Sequence, residues 1–427
     1  MTERASGYVT DVGYTCGYHA TLNPLSTRLA FLRAGLAPPR IANACELGFG
    51  QGVSLAVHAA ASTVRWWGVD LLPGHVRFAQ SLLDAAGADA ALFEATFEEF
   101  AARDDLPLFD FIGLHGVLSW VSAENRACIA GFLRDRLAPG GVVYAGYNAL
   151  PGWAELVPLR QIMTAHAALS SGNTVARIEA ALDFTERLLD VNPRGARSTP
   201  GLAERFARLR HADRRYLAHE YFNRDWQPLG FAEVSALMST AGLRYACPAQ
   251  LRDHLDELNL TDEQRQLLAR IEDPSFRETV RDYVTNAAVR RDYWVRERAL
   301  LPAAQLSARW PETRVVLTTP RAAVAERVTG PLGELRLTGP THHAVLGALA
   351  DGTPHAVGEI SGTEDIAAAV FELAAVGYVS VAQDDVAIGA CERRVEKLNA
   401  ALDGLGPVTI DVRASAVTGG GIITTGR

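Results

Sequence analysis

An acidic residue leads three glycines at alternate positions in Glu46-Leu47-Gly48-Phe49-Gly50-Gln51-Gly52, with apolar runs on both sides, Ile41 to Leu47 and Val53 to Ala61. The pattern reads as a buried strand, a tight turn and a helix. Residues without a Cβ let the backbone turn sharply and pass close to a ligand, and the helix start offers free amides and a positive dipole end. A second strand, Val64 to Val69, ends in Asp70, 18 positions past Gly52. A carboxylate there accepts the hydroxyls of a ribose. The set predicts a nucleotide-type cofactor.

NAD and S-adenosylmethionine (SAM) both fit so far. A dinucleotide loop spaces its glycines G-x-G-x-x-G around a pyrophosphate, whereas this chain reads E-x-G-x-G-x-G. Glu46 suits a cationic amino acid moiety, directly or through water, better than a pyrophosphate. SAM is therefore the expected cofactor. Leu137-Ala138-Pro139-Gly140-Gly141 before Val142 to Ala145 agrees as the turn into a fifth strand.

Strands are expected near 41–47, 64–69, 90–94, 109–115 and 141–147, alternating with helices, so residues 36–150 form a Rossmann-like α/β domain with a parallel sheet. Ligands bind beyond the carboxyl ends of such strands, which aligns Gly48, Asp70, Ala95 to Phe97, His115 to Trp120 and Tyr147 to Trp153 on one rim. Residues 1–35 form an aromatic arm or lid. Residues 151–311 read as a helical domain, with amphipathic runs at 155–170, 174–190, 231–241, 261–271 and 275–299 and a loop at Pro193 to Pro200. Residues 312–400 have a winged-helix-like α+β order: a strand at 314–318, helices near 341–350 and 363–376, and a hairpin at Tyr378 to Ala382 turning at Asp384-Asp385. Thr363 is the expected N-cap and Gly377 the expected C′ residue. The glycine-rich segment 401–427 is expected to be a flexible tail.

The 427-residue chain has a net charge of −8 and only local arginine groups, which argues against a nucleic-acid partner. The acidic 312–400 segment lacks a basic recognition helix and suits docking, or pairing as a homodimer. Five scattered cysteines fit neither a disulfide framework nor a zinc site, and no run has the ~18 apolar residues of a membrane span. Cytoplasmic location, no membrane and no metal are expected. His342-His343 has no third ligand at suitable spacing.

His115-Gly116-Val117-Leu118-Ser119-Trp120-Val121 and Tyr147-Asn148-Ala149-Leu150-Pro151-Gly152-Trp153 resemble the class I SAM-dependent methyltransferases that carry a methyltransferase regulatory domain. The likeness continues in His219-Glu220-Tyr221, Gln227-Pro228, Asp273-Pro274 and Asp282-Tyr283. It is similar in architecture to the rickettsial protein lysine methyltransferases. Phe49, Val53-Ser54 and Asn23-Pro24 depart from the family's usual Cys, Gly-Asn and His-Pro. The resemblance implies that Glu46, Gly48, Gly50, Gly52, Asp70, Leu71, Ala95, Thr96, Phe97 and His115 hold the cofactor.

Methyl transfer is an in-line displacement in a water-poor pocket. His115, Tyr147 and Trp120 are the catalytic candidates, His115 as a base or as a hydrogen-bonding wall. Tyr14, Tyr18, Trp120, Tyr147, Asn148, Trp153 and Tyr221 are the acceptor-binding candidates, since ring faces attract a sulfonium or an ammonium. The expected function is methyl transfer to a nitrogen of a peptide or protein, lysine-type by resemblance. The alternatives are O- or N-methylation of a small molecule, and a SAM-binding scaffold without turnover.

Overall fold

The computed structural model describes residues 8, 9, 11–362, 365–405 and 410–424. A seven-stranded sheet runs through its centre: β1 (Asn43–Leu47), β2 (Arg65–Asp70), β3 (Ala90–Glu94), β4 (Phe109–His115), β5 (Leu137–Asn148), β6 (Arg244–Pro248) and β7 (Val289–Val295). Their order is β3-β2-β1-β4-β5-β7-β6. β1 to β5 are mutually parallel, and β7 lies antiparallel between β5 and β6. The order reverses between β1 and β4, the place where open α/β sheets bind ligands.

β6 and β7 correct the expected helix over 275–299. That helix ends at Thr285, capped by Asn286 in the left-handed region (φ 49°), and the chain turns into β7. Arg290 and Asp292 gave β7 a solvated appearance in sequence, yet both are buried. The Arg290 guanidinium donates to Asp292 at 2.8 Å, Asp282 at 2.6 Å and Glu278 at 2.9 Å. Burial pushes the Asp282 carboxyl up to about 7, against the pull of Arg290.

The segment after residue 400 corrects the flexible tail. The helix Asp385–Asp403 and the hairpin Val412–Ser415 with Gly420–Ile423 pack on the helix Val53–Ala61. That cover explains why all nine residues of Val53–Ala61 are apolar or buried. Gly420 and Gly421 serve close approach: a Cβ on Gly420 would stand 2.6 Å from Asn23 Nδ2, and one on Gly421 2.9 Å from the Tyr18 ring. Residues 406–409 and 425–427 lie outside the described residues.

Between these parts, Arg314–Leu317 pairs antiparallel with His355–Ala356 and Val379–Val381, beside the helices Pro340–Ala348 and Ile366–Ala375. The hairpin expected at 378–385 is not formed. Asp384 instead caps the helix Asp385–Asp403 by accepting from the Ala387 amide at 2.8 Å. Asp365 caps Ile366–Ala375, while Thr363 lies outside the described residues. His342 pairs with Glu372 at 2.7 Å. Among the described residues no helix is long and apolar enough to cross a membrane.

Removing one partner of a buried ion pair leaves the rest uncompensated, at a cost of about 3–5 kcal/mol. Arg290→Met should therefore lower the thermal melting temperature sharply. An unchanged melting temperature would mean that the cation does not hold β7.

Candidate active site

A cavity of about 510 Å³ opens beyond the carboxyl ends of β1 to β5, walled by the arm on one side and by the 151–230 helices on another. That volume is within the usual range of ~300–1,000 Å³ for ligand sites. Glu46, Gly48, Gly50, Gly52, Asp70, Leu71, Ala95, Thr96, Phe97 and His115 all line it.

The glycine loop is built for close approach. Gly48, Gly50 and Gly52 have φ of 68°, 58° and 69°, all left-handed. A Cβ on Gly48 or Gly52 would strike Val117 at 2.8 Å or Ala79 at 2.5 Å, whereas one on Gly50 would face open space up to the Tyr14 ring at 3.7 Å. Phe49 is buried against Gly52 and Gly68.

Asp70 organises the mouth. Its Oδ2 accepts from the Gly50 amide at 2.8 Å, and its Oδ1 accepts from the Leu72 amide at 2.9 Å and lies 3.0 Å from His75 Nδ1. The Tyr14 amide donates to His75 Nε2 at 3.4 Å, which leaves the imidazole proton on Nδ1, facing Asp70. Gln51 Nε2 donates to the Tyr14 carbonyl at 3.0 Å. The arm is thus tied to the loop.

Glu46 is 3 % exposed and its Oε2 has no hydrogen-bond partner. Burial, assisted by the charge of Asp70, pushes its carboxyl up to about 8. A buried acid with an unused oxygen at the cavity wall suits a ligand ammonium group. Thr96 caps the helix Phe97–Ala101 in a capping box with Glu99.

The acceptor-side expectations divide. Tyr14, Trp120, Tyr147, Asn148 and Trp153 line the cavity, whereas Tyr18 and Tyr221 do not. Tyr18 is a clamp on the C-terminal hairpin, its hydroxyl accepting from the Gly421 amide at 2.7 Å and lying 3.2 Å from His58 Nε2. Tyr221 packs into the helical core against Trp153. The Tyr147 hydroxyl donates to Asp292 at 2.9 Å and is spent there.

His115 stacks on His19 at 3.7 Å, and its Nδ1 lies 2.8 Å from the Tyr144 hydroxyl. Burial, then His19 and Arg291, hold its pKa well below the usual value. A neutral imidazole of low basicity suits a wall or hydrogen-bond partner and argues against the role of base.

Sequence reasoning missed Glu220. It sits on the helix Arg214–Tyr221, lines the cavity, and accepts from the Tyr14 hydroxyl at 3.0 Å. Burial raises its carboxyl to about 7. The signal lies in the string His219-Glu220-Tyr221, where Glu220 stands beside the expected Tyr221. Tyr8 of the expected arm lines the cavity too, as do Tyr216 and Arg291, which were not among the site candidates.

The family described as "Predicted methyltransferase regulatory domain" matches residues 213–296, and protein sll1526 of Synechocystis is 38 % identical over 360 residues, covering 83 % of this chain and 71 % of that protein. The chain belongs to the methyltransferases that carry this regulatory domain. Protein RP028 of Rickettsia prowazekii is 31 % identical over 139 residues, 31 % of this methyltransferase and 54 % of the relative. The structure of PKMT2 from Rickettsia typhi in complex with AdoHcy superposes with a TM-score of 0.64 at 20 % identity, over 86 % of this chain and 77 % of that one. The fold is thus that of a class I enzyme, for which SAM is the methyl donor. The methyltransferase regulatory match includes β6, β7 and the Arg290 cluster, so the domain completes the catalytic sheet rather than standing apart from it.

Gly50→Val adds strain at a left-handed φ and fills the open side of the loop. It should abolish SAM binding in calorimetry while the protein stays folded; retained affinity would mean the loop does not face the donor. Below its raised pKa Glu46 is protonated, so binding an ammonium-bearing ligand at pH 7 should release a proton from it. Titration of S-adenosylhomocysteine in buffers of different ionisation heat should detect that release in the native enzyme and not in Glu46→Gln.

Proposed function

We propose that the enzyme methylates an amine nitrogen, with Glu220 receiving the proton that the acceptor must lose. The observation that carries this reading is a buried carboxylate, held by Tyr14, in a cavity whose walls include Tyr8, Trp120, Trp153 and Tyr216. Ring faces and a carboxylate together attract an alkylammonium, whereas a neutral hydroxyl acceptor would use the carboxylate as a base but gain nothing from the ring faces.

SAM, when bound, supplies an electrophilic methyl group on a sulfonium. Glu46 and the glycine loop would hold it, with Asp70 at the ribose. Glu220 takes the proton from the ammonium. The freed nitrogen lone pair forms the N–CH3 bond as the C–S bond breaks, and the thioether S-adenosylhomocysteine leaves with that electron pair. The rings around Glu220 keep water away from this exchange. A lysine side chain of a peptide or protein is the proposed acceptor, a reading supported by the likeness to the rickettsial enzymes. A small amine is the second reading, since one cavity of about 510 Å³ serves donor and acceptor together.

The test is release of S-adenosylhomocysteine with lysine-containing peptides, the same peptides with lysine dimethylated, and small amines and alcohols. Turnover with unmodified lysine peptides supports the proposal. Turnover with alcohols alone would sink it. Because Glu220 must be ionised to accept a proton, activity should rise with pH through about 7. Glu220→Gln should lose that rise and about 10²-fold in kcat; an unchanged profile would remove Glu220 from the proton path.

A further inference from the structure

The helical block holds a second cavity, of about 320 Å³, between the helices Val157–Leu169 and Thr174–Asp190 and the segment Phe222 to Arg224. We propose that it binds an oxyanion, the phosphate or carboxylate group of a small ligand, on the guanidinium groups of Arg160 and Arg177. This goes beyond the methyl-transfer reading and does not depend on it.

Arg160 is 93 % buried, being 7 % exposed, and its Nε has no hydrogen-bond partner. Its Nη2 donates to the Asn223 carbonyl and its guanidinium lies 4.3 Å from the Trp226 ring. Arg177, half-buried, also has an unpartnered buried Nε. Among the described residues neither arginine forms an ion pair. The contrast is local: Arg210 and Arg214, in the same block, pair with Glu179 at 2.9 and 2.5 Å. The nearby acid Asp11 turns both carboxylate oxygens to the Thr174 hydroxyl, at 2.9 and 2.8 Å. Burial alone, with no acid opposing it, lowers the pKa of Arg160 to about 10. An uncompensated buried cation is costly, and a guanidinium fork is shaped for an oxyanion.

The site is linked to the catalytic cavity through neighbouring residues. Val9 lines the smaller cavity and donates its amide to Asn223 Oδ1 at 3.0 Å, while its neighbour Tyr8 lines the larger one. Asn223 Nδ2 in turn donates to the His219 carbonyl at 2.7 Å, next to Glu220.

The experiment measures melting temperature and binding heat of the full chain with sodium phosphate, sodium acetate and sodium chloride at matched ionic strength. Phosphate or acetate should raise the melting temperature above the chloride control, and the stronger of the two identifies the ligand group. Arg177→Gln should weaken that oxyanion by about tenfold. Arg160→Met should lose the response to anion, since it removes the buried guanidinium. If Arg160→Met fails to fold, Arg177→Gln carries the test alone. No shift above chloride, or an equal shift in Arg177→Gln, overturns the proposal.

Discussion

The carboxylate of Asp70 is the interaction on which the catalytic mouth depends. It fixes the Gly50 amide, the start of the helix after β2 and, through His75, the backbone of Tyr14. Hydrogen bonds to an ionised group are worth about 1.5–3 kcal/mol each, so one side chain holds loop and arm in register before any ligand arrives. The same charge acts on Glu46, which it helps to keep protonated. Asp70 builds the frame, and Glu46 Oε2 is left without a hydrogen-bond partner at the cavity wall.

The regulatory region enters this frame from the far side of the sheet. β7 lies between β5 and β6, and Asp292 on it accepts from the Tyr147 hydroxyl on β5. Arg290 closes the cluster. The wall that carries Tyr147 and Asn148 is therefore fixed by residues about 145 positions later in the chain, and Glu220 arrives on a helix between them. The cavity wall around Glu220 is assembled from the arm, the end of β5 and the helical block together. The opposite wall, with the glycine loop and Asp70, comes almost wholly from the ends of β1 to β4.

That division explains what could be read in the sequence. The glycine loop, Asp70 and five parallel strands follow local rules of turn chemistry and periodicity, and their boundaries agree with the structure to within a few residues. β7 did not, because Arg290 and Asp292 satisfy one another inside the protein and look solvated in a linear reading. Glycines 419 to 421 read as flexible, yet two of them are there so that Tyr18 and Asn23 can approach the backbone. Tyr18 and Tyr221 are acceptor-binding candidates by residue type alone; each packs elsewhere, against the C-terminal hairpin and the helical core. Glu220 was hidden because its importance lies in burial and in its bond to Tyr14, 206 positions away.

The central claim is that the cavity beyond β1 and β2 holds SAM rather than a dinucleotide. Calorimetric titration of the purified chain with S-adenosylhomocysteine and with NAD, side by side, addresses it directly. The account predicts one-to-one binding of S-adenosylhomocysteine and no heat from NAD; binding of NAD alone would contradict it.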